Sequence, residues 1–202
     1  ALVVRHLFDE LPNFLDHVLE RALEVSLDGN LPVERFEDQQ DVAVKAGCAG
    51  VLMLPPFYYK DVSDDGLFRH FAEVIERVGD ARLRIYLYHI PPVAVVGITP
   101  TLVERLLKRY PSAIAGMKDS SGDWSNTKTM VDSFAASGFD VFPGSESFLP
   151  AGMRHGAAGC ISATANVNPA AIDRLYREWR STDADQQQEV LNTVRKIVGQ
   201  YV

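Results

Sequence analysis

A-I-A-G-M-K-D-S-S-G-D, residues 113 to 123, is a short apolar run that carries one lysine, Lys118, to its end and then breaks into a polar, glycine-containing loop. The pattern predicts a strand with the lysine at its mouth. A lysine in that place can lose its proton by desolvation and attack a carbonyl as a free amine, forming a Schiff base. A lysine that merely closes a strand and points into water is the commoner arrangement, so the flanking sequence has to decide.

On both sides of this stretch the same unit recurs. Residues 50 to 54, G-V-L-M-L, form a continuous apolar run stopped by Pro55-Pro56, followed by a helical pattern over 64 to 78 with Ser63 as N-cap. Residues 84 to 90, R-I-Y-L-Y-H-I, are stopped by Pro91-Pro92, and the next helix is marked by Thr99 as N-cap and Pro100 at its first position. After the Lys118 strand come a helix near 126 to 136 and a strand at 139 to 142 ending in Pro143-Gly144. A helix at 147 to 154, a fifth strand at 159 to 163 and a helix reaching Arg180 complete the series. Residues 33 to 46 read as a helix ended by Gly47, and 183 to 202 as a terminal helix.

Five strand-helix units in succession predict a parallel sheet with right-handed crossovers. The open doubly wound sheet and the barrel both fit that order. The glycine signatures of nucleotide-binding doubly wound folds are absent, whereas each strand ends in polar residues: Tyr58, Tyr88, Lys118, Ser145-Glu146, then Ser162 and Thr164. A barrel gathers those ends at one mouth, which favours an α/β TIM barrel of the (β/α)8 type over residues 1 to 180, followed by part of a helical extension at 181 to 202. Tyr88 and Lys118 then lie on consecutive strands, where a phenol can relay protons to an amine. Tyr86 is an equal candidate by spacing alone.

Composition narrows the partners. The 202 residues carry a formal net charge of -7 and a pI near 5.2, which disfavours nucleic acid and anionic membranes. No secretory or membrane segment is expected, and a cytoplasmic location is the simplest reading. Cys48 and Cys160, in apolar settings far apart, predict two buried free thiols. His6, His17, His70, His89 and His155 show no metal-ligand spacing.

The segments Y-H-I-P-P at 88 to 92, G-M-K-D-S-S-G-D at 116 to 123, P-G-S-E at 143 to 146 and G-C-I-S-A-T-A-N at 159 to 166 together resemble the dihydrodipicolinate synthase and N-acetylneuraminate lyase family. The resemblance runs from about Gly47 to Tyr176. It implies a TIM barrel lyase, an aldolase or dehydratase, in which Lys118 forms a Schiff base with pyruvate or a related 2-oxo acid and Tyr88 relays protons. It further implies substrate contacts at Ser120, Gly144, Ser145 and Glu146, and the carbonyl of Ile161 near the lysine. Tyr58 falls at a subunit interface or in the proton relay, no cofactor or metal is required, and a homo-oligomer (dimer or tetramer) is implied. Three departures stand out. Val93 occupies the place of the synthase branch's carboxylate-binding arginine. His89 replaces an asparagine, either as a pH-sensitive polar contact or as a substitution facing away from the site, and the second reading is favoured. The early G-T-T-G-E loop is missing, and residues 1 to 46 are mostly helical in pattern, so the barrel reads as incomplete or divergent at its start. A non-catalytic binding module or an assembly component is the alternative.

Overall fold

In a computed structural model, residues 35–57 and 61–201 are described, and four parallel strands lie side by side in sequence order. Helix α1 (Arg35–Lys45) leads into β1 (Val51–Met53), α2 (Asp64–Val78), β2 (Ile85–His89), a short α3 (Pro91–Ala94) and α4 (Pro100–Arg109). Then follow β3 (Ile114–Asp119), α5 (Trp124–Phe134), β4 (Asp140–Pro143), α6 (Leu149–His155), α7 (Pro169–Glu178) and α8 (Ala184–Val198). This is the βα succession of a TIM barrel. The helical pattern expected of residues 1 to 34 and the Tyr58 position lie outside the described residues.

The local chemistry explains the boundaries. Ser63 accepts the Gly66 N–H at the start of α2, Asp64 and Asp65 sit at the positive helix end, and Gly79 closes the helix in a left-handed turn at φ 59. Thr99 accepts the Leu102 N–H, with Pro100 at the first turn of α4. Pro91-Pro92 ends β2 as expected but also opens α3, because a proline at a first helical turn gives up no intrahelical bond. The helix expected at 147 to 154 begins one residue earlier as a 3-10 turn, Glu146–Phe148, before becoming α6.

Alternation along the strands divides the sheet into two faces. Ile85, Leu87, Met117 and Val141 point to the helices and are fully or almost fully buried with Leu67, Phe71, Leu102, Leu106 and Met130. Each such side chain contributes roughly 1.5–3 kcal/mol relative to exposure. A second core joins the C-terminal helices through Leu149, Ile172, Leu175, Ala184 and Leu191. The opposite face carries rows set by the register: Leu52, Tyr86, Gly116 and Asp140, then Tyr88, Lys118 and Phe142.

Two expectations are corrected. Residues 159 to 163 are no regular strand. Ala158 and Ile161 donate to the Val141 and Pro143 carbonyls at 3.0 Å each, so the segment runs beside β4 without a ladder of its own. Cys160 is a buried free thiol as expected, but Cys48 is only partly buried.

Gly116 is required by close packing. A Cβ there would overlap the Asp140 carbonyl and come within 2.8 Å of the Tyr86 ring. Gly116→Ala is therefore expected to cost about 1–3 kcal/mol by overpacking, read as a lower midpoint in urea unfolding with an unchanged slope. A neutral result would mean that β4 at Asp140 and the Tyr86 ring both give way without cost.

Candidate active site

Tyr88 and Lys118 are direct register partners on β2 and β3. The Lys118 Nζ donates to Tyr88 Oη at 3.0 Å and stands 4.3 Å from the centre of the tyrosine ring. Both side chains are half-buried on the face turned away from the helices. The pair thus has the contact that proton relay demands: an amine whose lone pair, once free, can accept from the adjacent phenol, and a phenolate that can accept from the amine.

Tyr86, the rival by spacing, has another task. Its hydroxyl donates to Asp140 Oδ2 at 3.2 Å, and its ring meets Phe142 edge-on at 5.9 Å. Burial, then the neighbouring Asp140 charge, raises the Tyr86 pKa above the ordinary phenol range and keeps it protonated. Burial raises Asp140 as well, against the pull of the Tyr86 hydrogen bond. This pair belongs to the layer below Lys118, beside a cavity of about 420 Å³ that Arg84, Ile114 and Asp140 help to line.

Of the other expected site residues, Ser120 and Gly144 meet. The Gly144 N–H donates to the Asp119 carbonyl at 2.6 Å, and a Cβ on Gly144 would collide with Ser120 Oγ, so only glycine lets the loops after β3 and β4 touch. The Ser145 hydroxyl accepts from the Ser147 N–H at 3.1 Å as a turn cap. Ile161 is held against β4 through its own N–H.

Glu146 departs from its expected role as a ligand for substrate hydroxyls. Its side chain is wholly buried, with Oε2 accepting from Ser162 Oγ and from Arg195 Nη1, the latter at 2.9 Å. The same Arg195 nitrogen lies 3.0 Å from Thr164 Oγ1. The carboxylate therefore ties the loop after β4 to α8. Arg195→Ala leaves that carboxylate buried and unpaired. The expected loss is about 2–3 kcal/mol, below the roughly 3–5 kcal/mol of a fully buried pair because the arginine is 40% exposed. Adding Glu146→Gln should restore part of the loss; thermal melts of both variants check this, and equal melts for the single and double variants would contradict it.

Sequence reading missed Arg195 and Asp119. Asp119, next to Lys118, points toward the helices and is almost completely buried. Its Oδ2 accepts from Thr127 Oγ1 at 2.6 Å and Asn126 Nδ2 at 3.0 Å, and its Oδ1 from the Ser121 N–H at 2.9 Å. The D-S-S-G-D spacing was a usable signal for this turn, since an aspartate accepts readily from the backbone two residues on. No nucleophilic thiol competes with the lysine in this half of the chain, for burial and then the Glu146 charge push Cys160 up to about 12. Among the described residues no helix is long and apolar enough to cross a membrane.

Comparison with known proteins gives a family and its members. The Dihydrodipicolinate synthetase family matches residues 38–202. A 4-hydroxy-tetrahydrodipicolinate synthase of Thermus thermophilus is 37% identical over 178 residues, covering 81% of this chain and 57% of that protein. The crystal structure of dihydrodipicolinate synthase from Agrobacterium tumefaciens superposes with a TM-score of 0.72 at 30% identity, over 92% of this chain and 65% of that one. YagE of Escherichia coli K12, a prophage protein of the dihydrodipicolinic acid synthase family solved with pyruvate, gives 0.71 at 28% identity over 79% and 54%. The chain spans roughly half to two thirds of the length of these relatives.

Proposed function

Because the chain belongs to the dihydrodipicolinate synthetase family, we propose that it is a Schiff-base-forming lyase in which Lys118 attacks the keto carbon of pyruvate or a related 2-oxo acid. The observation that carries this reading is the 3.0 Å contact between Lys118 Nζ and Tyr88 Oη on neighbouring strands. The free amine adds to the carbonyl, and the carbinolamine loses water once its hydroxyl is protonated. Tyr88, within reach of the same nitrogen, carries that proton and the one leaving the amine. The resulting iminium draws electrons from the neighbouring carbon. Either a carbon–carbon bond is then made or broken, as in an aldolase, or a hydroxide leaves as water, as in a dehydratase. Loops above the strand ends choose between them. Val93, standing where the resemblance places an arginine, is 71% exposed and adds no charge to that rim, which argues against a second substrate held there by its carboxylate.

Incubation with pyruvate and borohydride, followed by peptide mass analysis, tests the proposal: the reduced adduct is expected on the peptide containing Lys118, and an unmodified lysine would sink it. The 42% exposure of Leu52 on the inner face of β1 favours a second reading, in which the chain is a binding module or part of an assembly. That reading expects no adduct at all. The family resemblance further suggests a homo-oligomer, dimer or tetramer, which sedimentation would establish.

A further inference from the structure

One residue beyond the Tyr88–Lys118 pair, on the opposite face of the same two strands, His89 and Asp119 are also register partners. His89 is buried, and its Nδ1 accepts the N–H of Ile98 at 2.9 Å. An acceptor at Nδ1 places the single proton of a neutral imidazole on Nε2, which faces Asp119 Oδ1 at 4.0 Å. The Ile98 bond closes the base of the segment from 90 to 98, the loop that follows β2 at the mouth. That loop is anchored by Ala94, Val96 and Ile98 and presents Val93 and Val95 outward. It also holds Val95 in a left-handed conformation at φ 56, unfavourable for a β-branched residue, so its shape depends on clamps. The His89 carbonyl supplies another tie by accepting the Ser120 N–H at 2.7 Å, across to the turn after Lys118.

We infer that neutral His89 is a positioning residue that latches the loop after β2 beside the Tyr88–Lys118 pair, and that gaining a proton releases the latch. The inference rests on the Schiff-base reading for its consequence but not for its geometry. A protonated Nδ1 turns an acceptor into a donor facing the Ile98 N–H, and two buried donors cannot bond. Asp119 on β3 is the charged group that faces the ring. The loop from 90 to 98 carries no titratable side chain, and α5 contributes to this wall the uncharged Asn126 and Thr127, both spent on Asp119. Burial holds the His89 pKa below its ordinary value, with Asp119 pulling the other way. Release is therefore expected below the usual histidine range, in mild acid.

The test compares the parent chain, His89→Asn and His89→Ala. Protection of the Ile98 amide against hydrogen exchange and the rate of the pyruvate–borohydride adduct are followed from about pH 7.5 to about pH 5. In the parent, protection at Ile98 should fall by about tenfold on acidification, the size of one buried hydrogen bond. His89→Asn keeps an acceptor that gains no proton, so its protection should stay level, and His89→Ala should lack it throughout. Any effect of acid on the imine chemistry itself acts on parent and His89→Asn alike and cancels in their ratio. That ratio should shift by about tenfold in favour of His89→Asn as the pH falls. Equal Ile98 protection in the parent and His89→Ala, or an acid loss that survives in His89→Asn, overturns the latch. Should His89→Ala fail to fold, the parent and His89→Asn decide alone. Absence of any adduct in the parent overturns the Schiff-base reading, while the latch is still decided at Ile98.

Discussion

Lys118→Met is expected to abolish the borohydride-trappable pyruvate adduct and to lower lyase turnover by on the order of 10⁴-fold or more, since the covalent route closes with its nucleophile. Methionine matches the lysine stem in volume and flexibility, so the half-buried position stays filled and stability should change by less than about 1.5 kcal/mol. Among the described residues named beside it, none can substitute. Tyr88 remains but forms no imine, and Cys160 is buried with its thiol pushed up to about 12. Lys118→Arg should be as inactive, because a guanidinium does not deprotonate in the accessible range. The measurement is intact mass after reduction, alongside a melt to show the fold retained. Adduct formation on the Lys118→Met chain would place the chemistry at another lysine and remove the basis for the whole reading.

How much of this was legible beforehand depended on whether a feature's cause is local. The start of α2 follows from the Ser63 cap and its length from a helical pattern, both local and both legible in the sequence, and Gly79 closes the last turn. The barrel order sets β2 beside β3, but spacing leaves Tyr86 and Tyr88 equal, and the register Tyr88 to Lys118 decides between them. Two things were hidden. The segment at 159 to 163 looks like a strand in composition, but a strand also needs a ladder, and only the Ile161 N–H and that of the preceding Ala158 reach β4. The family resemblance marks Glu146 as a substrate contact in the loop after β4. Its partner Arg195 lies 49 positions away on a terminal helix, a pairing that leaves no trace in local pattern. His89 was expected to face away from the pair, as strand alternation requires. What the sequence could not show is that the ring accepts the amide of Ile98, because that depends on the path of the loop.

Tyr88→Phe separates the relay from the nucleophile. The ring stays, so its face against the Lys118 nitrogen at 4.3 Å persists and the fold should be unaffected. What goes is the hydroxyl at 3.0 Å, and with it the group placed to carry protons during carbinolamine formation and collapse. General acid–base contributions of this kind are about 10²–10⁴-fold. The loss should appear as a slower approach to the adduct and a lower kcat, with the adduct still forming at long times, since Lys118 itself is intact. Tyr86→Phe supplies the control. It removes the bond to Asp140 one layer down, for a cost near 1 kcal/mol in stability, and should leave the adduct rate within about threefold of the parent. If the two phenylalanine variants slow the adduct equally, the loss reflects the packing of the inner face, and the proton must travel by another group. If only Tyr88→Phe is slow, the contact between two strand ends accounts for the chemistry, and the register of β2 against β3 becomes the feature of this fold on which activity most depends.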